Sequence, residues 1–144
     1  MKNIIQREIK FRFWDKKYKI MRDDNFANPI NGDAQMLFLD VAGTIWLKGN
    51  KQELTDVSDR FIALQFTGLK DKNGKEIYKG DIVEYTRKDL DKIGVLYQPT
   101  PKKVRFLIQW GEKGFKDNKL GFGELSYQKG KVIGNIYKNS ELFK

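Results

Sequence analysis

The residues from Gln65 to Val83, QFTGLKDKNGKEIYKGDIV, constrain the fold more than any other part of this chain. Gly68, Gly74 and Gly80 each centre a turn, and Gly80-Asp81 launches the apolar run Ile82-Val83. Turn chemistry this dense reads as the corner of a small β-barrel or compact β-module and not as a catalytic loop. Asn73-Gly74 is ordinarily a two-residue hairpin signal. Here such a turn would set Lys72 against Lys75 and Asp71 against Glu76, and like charges directly opposite are unfavourable by up to about 1 kcal/mol per pair. A longer turn through Asp71 to Lys75, leading into Ile77 and Tyr78, is the expected form.

The flanking sequence repeats one theme of short extended runs between polar breaks. Ile9, Phe11 and Phe13 alternate with Lys10, Arg12 and Trp14, the two-residue period of a half-buried strand. Asp15-Lys16-Lys17 is a polar turn, and Tyr18 to Met21 returns as the second strand of a hairpin. The span 22–33 holds Pro29 and Asn31-Gly32 and reads as a loop. Met36 to Leu39 and Thr44 to Leu47 form a second hairpin, residues 53–60 suit a helical turn or an extended link, and Phe61 to Phe66 reads as strand.

Further on, Ile82 to Arg87 is a strand with Val83 and Tyr85 on one face, and Gly94 to Tyr97 is another. Val104, Phe106, Ile108 and Trp110 alternate most cleanly of all, which places Trp110 with the core. Residues 111–123 read as a polar loop, and Glu124 to Gln128 with Lys131 to Tyr137 as a last hairpin. Asn139 is placed to cap one closing helical turn. The reading is a mainly β fold with few short helices. An N-terminal hairpin lobe (1–60) precedes a small SH3-like barrel (61–144), or the two form one continuous domain.

Composition narrows the chemistry. The chain of 144 residues has no cysteine and no histidine, so thiolate catalysis, disulfides and the commonest transition-metal ligands are absent. This weighs against an enzyme. The formal charge is +9, which suits a nucleic-acid or acidic-protein partner, or merely a soluble surface. Arginine, the usual reader of phosphate and guanine by paired hydrogen bonds, numbers six against 22 lysines. No run approaches the ~20 apolar residues of a membrane-spanning helix, and the N-terminus lacks a signal-peptide pattern. A soluble protein of the cytoplasm is expected.

Three segments resemble the YopX family of phage and prophage proteins: Arg7 to Asp15, the span from Gln65 to Val83, and Val132 to Leu142. They lie at the start, middle and end, so the resemblance covers the whole chain around a variable middle. It implies a strand-rich fold and a phage or prophage origin in a bacterial host. It implies no activity, only a small accessory protein without cofactors that self-associates; the reading for this chain is action by binding or self-assembly, not catalysis. Phe13 departs from the family's small residue, Lys79 and Lys138 from its acidic residues, and Ser140 from its proline.

The candidate sites follow from these readings. Thr67, Gly68, Asp71, Gly74, Gly80 and Asp81 carry the family motif and are assigned to geometry, the glycines supplying positive φ and Asp81 bonding nearby backbone N–H groups. A recognition edge displaying Lys70, Asp71, Lys72 and Lys75 is the competing use. Lys10, Arg12 and Trp14, with Lys102, Lys103 and Arg105, make a candidate binding surface. An exposed Lys-Arg-Trp stripe and cation–π packing inside the fold stand as equal readings of Trp14. Trp46 is a third indole to weigh as a stacking platform, and Lys113, Lys116 and Lys119 as phosphate contacts. Asp81 with Glu84, or Asp23 with Asp24, are weak candidates for metal-binding carboxylates. No metal or cofactor is expected. The partner reading is a homo-oligomer, with a host or phage protein as a further partner; the alternative function is salt-sensitive nucleic-acid binding.

Overall fold

A computed structural model describes residues 8–86, 88–89, 103–111, 114–117 and 129–143, with backbone only for 110–111, 114–117 and 143. The fold is mainly β, with curled sheets that include a half-barrel. The chain divides into two compact units, residues 10–65 and residues 1–9 with 66–144.

In the first unit, β1 (Phe11–Asp15) pairs antiparallel with β2 (Ile20–Arg22) on one side and with the start of β7 (Phe61–Lys70) on the other. A second sheet runs in simple order through β3 (Asn25–Ala27), β4 (Ala34–Leu39), β5 (Ile45–Lys48) and β6 (Leu54–Asp56). Its inner face carries Leu37 and Ile45, which close on Phe13 and Phe61 as one buried cluster. Two of these strands depart from expectation. β3 lies inside the span read as loop, and β6 resolves the choice at 53–60 toward extended chain. Both are three-residue edge strands whose polar composition hides them, because pairing with β4 and β5 is what makes them strands.

In the second unit the end of β7 pairs with β8 (Glu76–Tyr78). A four-stranded sheet follows in the order β11 (Gly114–Asp117), β10 (Lys103–Gly111), β9 (Asp81–Thr86), β12 (Lys131–Asn135). Ile77, Val83, Tyr85, Phe106, Ile108 and Val132 form its core. β11 occupies part of the expected polar loop, as the returning arm of a hairpin with β10. β12 pairs with β9. Its expected partner at 124–128, and the expected strand at 94–97, lie outside the described residues. A four-residue 3-10 helix (Ser140–Phe143) closes the chain. Asn139 precedes it, but its side-chain oxygen accepts the N–H of Asn135 at 3.3 Å, behind the helix.

The turn-rich span folds as two linked devices. Between Phe66↔Tyr78 and Lys70↔Glu76 the register shifts, leaving two more residues on β7 than on β8. Gly68 takes φ 84° within this bulge, and the Thr67 hydroxyl donates to the Ile77 carbonyl at 2.7 Å. The turn then runs through Asp71 to Lys75 as the longer form, so the pair that closes it is Lys70 opposite Glu76, of opposite charge.

Candidate interaction surface

The motif residues are fasteners. The Asp71 carboxylate accepts N–H groups from Asn73 and Lys75 on one oxygen and from Val132 on the other, at 2.8–2.9 Å. Asp81 is fully buried; it accepts the Tyr78 N–H at 2.8 Å and the Asn135 side-chain amide at 3.1 Å. Gly74 and Gly80 take φ 82° and 87°. The central motif is thereby tied to the C-terminal one at Val132 and Asn135. Both carboxylates bond backbone and amide donors that hold these turns together.

The candidate basic surface is differently placed. Lys10 and Arg12 are half-buried, and Trp14 is 4% exposed, which rules out the stacking stripe. The two-residue period failed here because both faces of β1 are covered at Phe13, Trp14 and Asp15. Lys103 and Arg105 flank Glu84 at 3.6 Å and 3.0 Å. Lys102 and the side chains of Trp110, Lys113, Lys116 and Lys119 lie outside the described residues. Asp81 and Glu84 are an odd number of residues apart on β9, so they point to opposite faces. Asp24 accepts the Asn25 side-chain amide. Among the described residues no group of three or more carboxylates gathers as a metal would need.

The hub of the first unit was read only as a turn. The Asp15 side chain is fully buried and bonded by Arg22 and Arg60, both at 2.8 Å, while it also accepts the N–H groups of Lys17 and Tyr18. Burial alone would push this carboxyl up. The Arg60 hydrogen bond, then that of Arg22 and the Tyr18 N–H, outweigh it and hold the group well below the usual carboxylate range. The guanidinium of Arg22 lies 4.5 Å from the Phe26 ring and that of Arg60 4.7 Å from Phe61. Asp89 is a second such acid. Burial raises it, but the N–H and hydroxyl of Thr86 and the ammonium of Lys72 bring it below the ordinary value. Neither role is legible from local sequence.

What the first unit displays is the outer face of its second sheet. Residues directly opposite in an antiparallel pair share a face. The register therefore lines up Met36, Lys48 and Leu54 in one row, with Phe38, Trp46 and Asp56 in the next. Met36 is 42% exposed and Leu54 55%. The Trp46 indole N–H donates to Asp40 at 2.8 Å, fixing the ring on this face; that bond is the main reason the Asp40 carboxyl sits below its ordinary value. A groove of about 240 Å³ lies beside the row, lined by Asn25, Ala34, Met36 and Lys48 among others. The face combines apolar and aromatic groups with one cation, Lys48, and two acids, Asp56 and the Asp40 that holds the Trp46 indole. It has the makings of a protein contact and no reactive constellation. No helix among the described residues is long and apolar enough to cross a membrane.

Comparison with known proteins agrees with this architecture. The family described as YopX protein matches residues 10–144. No curated protein matches the chain. Among solved structures, the crystal structure of protein EF1440 from Enterococcus faecalis is similar, with a TM-score of 0.60 at 24% identity. The likeness covers 96% of this chain and 100% of that one, and it shows a shared fold.

Proposed function

Because the chain belongs to the YopX family, the match running over residues 10–144, we propose that it is a phage or prophage accessory protein. In this reading it acts by self-assembly and not by catalysis, through the outer face of the sheet β3–β6. One observation carries the reading: exposed Met36 and Leu54 flank Lys48 in a single cross-strand row, with Trp46 and Phe38 in the row behind.

A second copy is the occupant that the charges favour. Residues 10–65 hold nine cationic and eight anionic residues, so this unit is nearly neutral although the chain is +9. The face itself bears Lys48 and Asp56 at diagonal positions. A two-fold contact brings each opposite the other's partner, making the patch complementary to itself. The excess of positive charge that would oppose self-association is carried by the other unit.

The face is small. Four strands at ~4.8 Å spacing and about five residues at ~3.3 Å give a patch of roughly 19 by 16 Å. At about 300 Å² per copy, about 600 Å² for the pair, that is below the roughly 1,000 Å² of a stable specific interface, so the complex is a weak, transient dimer that dissociates on dilution. Light scattering across a concentration series tests it. The mass is expected to rise above 16.9 kDa with concentration, and to stay monomeric in a Met36→Glu, Leu54→Glu double variant. A wild-type mass that stays at one chain over the whole series sinks the proposal.

A further inference from the structure

The second unit presents a face of opposite character. Arg105, Glu84 and Lys131 are directly opposite one another across β10, β9 and β12, and Lys103 pairs with Thr86 one step along. Lys129 is exposed at the mouth of β12. The single carboxylate in this array lies low. The Glu84 side chain is 13% exposed, against 40% for Arg105 and 63% for Lys103, the two cations that cover it. Lys131 is exposed as well, and among the described residues neither it nor Lys129 has an ion-pair partner. Arg105 is tied down twice, donating to Glu84 at 3.0 Å and to the Leu142 carbonyl at 2.8 Å, so the cations this face offers to solvent are Lys103, Lys129 and Lys131, while its anion Glu84 is hidden. Residues 66–144 hold 17 cationic and ten anionic side chains, so nearly all of the chain's excess charge belongs to this unit.

We propose that this face of β10, β9 and β12 binds the phosphate backbone of a double-stranded nucleic acid without reading its sequence. Lys103 and Arg105 stand on one side of Glu84 and Lys131 on the other. Two strand spacings of ~4.8 Å set the outer cations about 10 Å apart, with room between for a backbone. The cations are mostly lysine, a mobile point charge suited to phosphate contact and poor at the paired hydrogen bonds that read a base edge. Single strands are a poorer match, because they bind by stacking on exposed aromatic rings. Among the described residues the rows Arg105–Glu84–Lys131 and Lys103–Thr86 carry no aromatic ring, and the exposed Tyr137 lies beyond the end of β12. An acidic protein is a poorer match too, since protein contacts centre on apolar or aromatic anchors and the exposed groups named here are lysine and arginine. The inference uses none of the residues of the self-assembly face and stands or falls without it.

Fluorescence anisotropy of the full chain with a labelled DNA duplex of about 20 base pairs, from about 50 to about 200 mM salt, tests the proposal. Phosphate contacts from Lys103, Lys129 and Lys131 predict a slope of log affinity against log salt of about −3, at about −0.9 per contact. Lys103→Ala with Lys131→Ala is expected to reduce that slope by about two and to weaken binding at low salt at least tenfold. Lys16→Ala with Lys17→Ala, exposed lysines of the first unit, is expected to leave both unchanged. Circular dichroism checks that each variant is folded. No binding at the lowest salt overturns the proposal, as does an equal loss in the two lysine pairs. Polyglutamate or a single strand of equal length binding as tightly as the duplex overturns it too, the first pointing to an acidic protein and the second to single-stranded nucleic acid.

Discussion

Asp71 accepts the backbone N–H of Val132 at 2.8 Å, across 61 residues of chain. The same turn donates the Lys72 N–H to the Gly130 carbonyl at 3.0 Å, so two bonds staple the central motif to the strand that opens the C-terminal one. Val132 is buried, and its N–H has water as no ready substitute. Asp71→Ala removes the acceptor from that group and from the two turn N–H groups. It is expected to cost about 2–4 kcal/mol in urea denaturation, about 1–3 kcal/mol for the buried Val132 N–H and about 1 kcal/mol for the two solvated turn bonds together. Asp71→Glu, which lengthens the side chain and loses the turn geometry, is expected to recover less than half.

The conformation of Gly80 and its surroundings make separable contributions. Its φ is 87°, its N–H donates to the Ile108 carbonyl at 2.9 Å, and its carbonyl accepts the Ile136 N–H at 2.8 Å. A methyl here would sit 3.3 Å from both the Asn135 amide nitrogen and the Tyr137 ring. At Gly74 φ is 82° and nothing lies within 4 Å. Gly74→Ala is therefore expected to cost only the backbone term, about 1–2 kcal/mol. Gly80→Ala is expected to cost at least 1 kcal/mol more by the same urea measurement. Equal losses at the two positions refute the packing role given to Gly80.

These cases show what was legible and why. Turn chemistry is local, so Gly68, Gly74 and Gly80 are legible as positive-φ positions, and the clash of Lys72 with Lys75 favours the longer turn without knowledge of any partner strand. The alternation from Val104 to Ile108 likewise gave both the strand and its buried face. What failed needed distant partners. Trp14 shares a parity with Lys10 and Arg12, yet β1 is covered on both sides at its end. Asn25 to Ala27 is a strand only because β4 lies alongside. The row Met36–Lys48–Leu54 exists only through the registers of two hairpins, so no spacing in the sequence announces it. Asp15 shows a turn to its neighbours and an ion-pair hub to Arg60, 45 residues away.

That hub predicts a pH dependence. The Asp15 carboxyl is held below its ordinary value, about 3.9, in the folded chain. A depressed carboxyl stabilises fully above the unfolded value, and that contribution is lost as pH falls through the folded one. Asp15→Asn leaves Arg22 and Arg60 without their shared anion and is expected to cost about 3 kcal/mol near neutral pH. The gap between wild type and variant should be flat from about pH 7 to about pH 4.5 and narrow below about pH 4. Urea midpoints of both proteins across that range provide the measurement, and other acids cancel in the difference. A gap that narrows already between about pH 7 and about pH 5 contradicts a lowered carboxyl.

The self-assembly face makes the sharpest test because Lys48 and Asp56 constrain the geometry. If two copies meet face to face about a two-fold axis, Lys48 of each lies against Asp56 of the other, and every substitution acts twice. Asp56 and Ser58 are hydrogen-bonded through the Ser58 N–H and hydroxyl, which hold the carboxylate at the end of β6. Lys48→Glu replaces two attractive pairs by two repulsive ones. An exposed pair is worth about 0.2–1 kcal/mol, so the dimer should weaken about tenfold. Asp56→Lys alone should do the same, while the double exchange, Lys48→Glu with Asp56→Lys, restores both pairs and most of the affinity. Sedimentation equilibrium of the four proteins reads this directly. Additive losses in the double exchange would place Lys48 and Asp56 out of reach of each other across the contact, and the two-fold arrangement would then have to be abandoned.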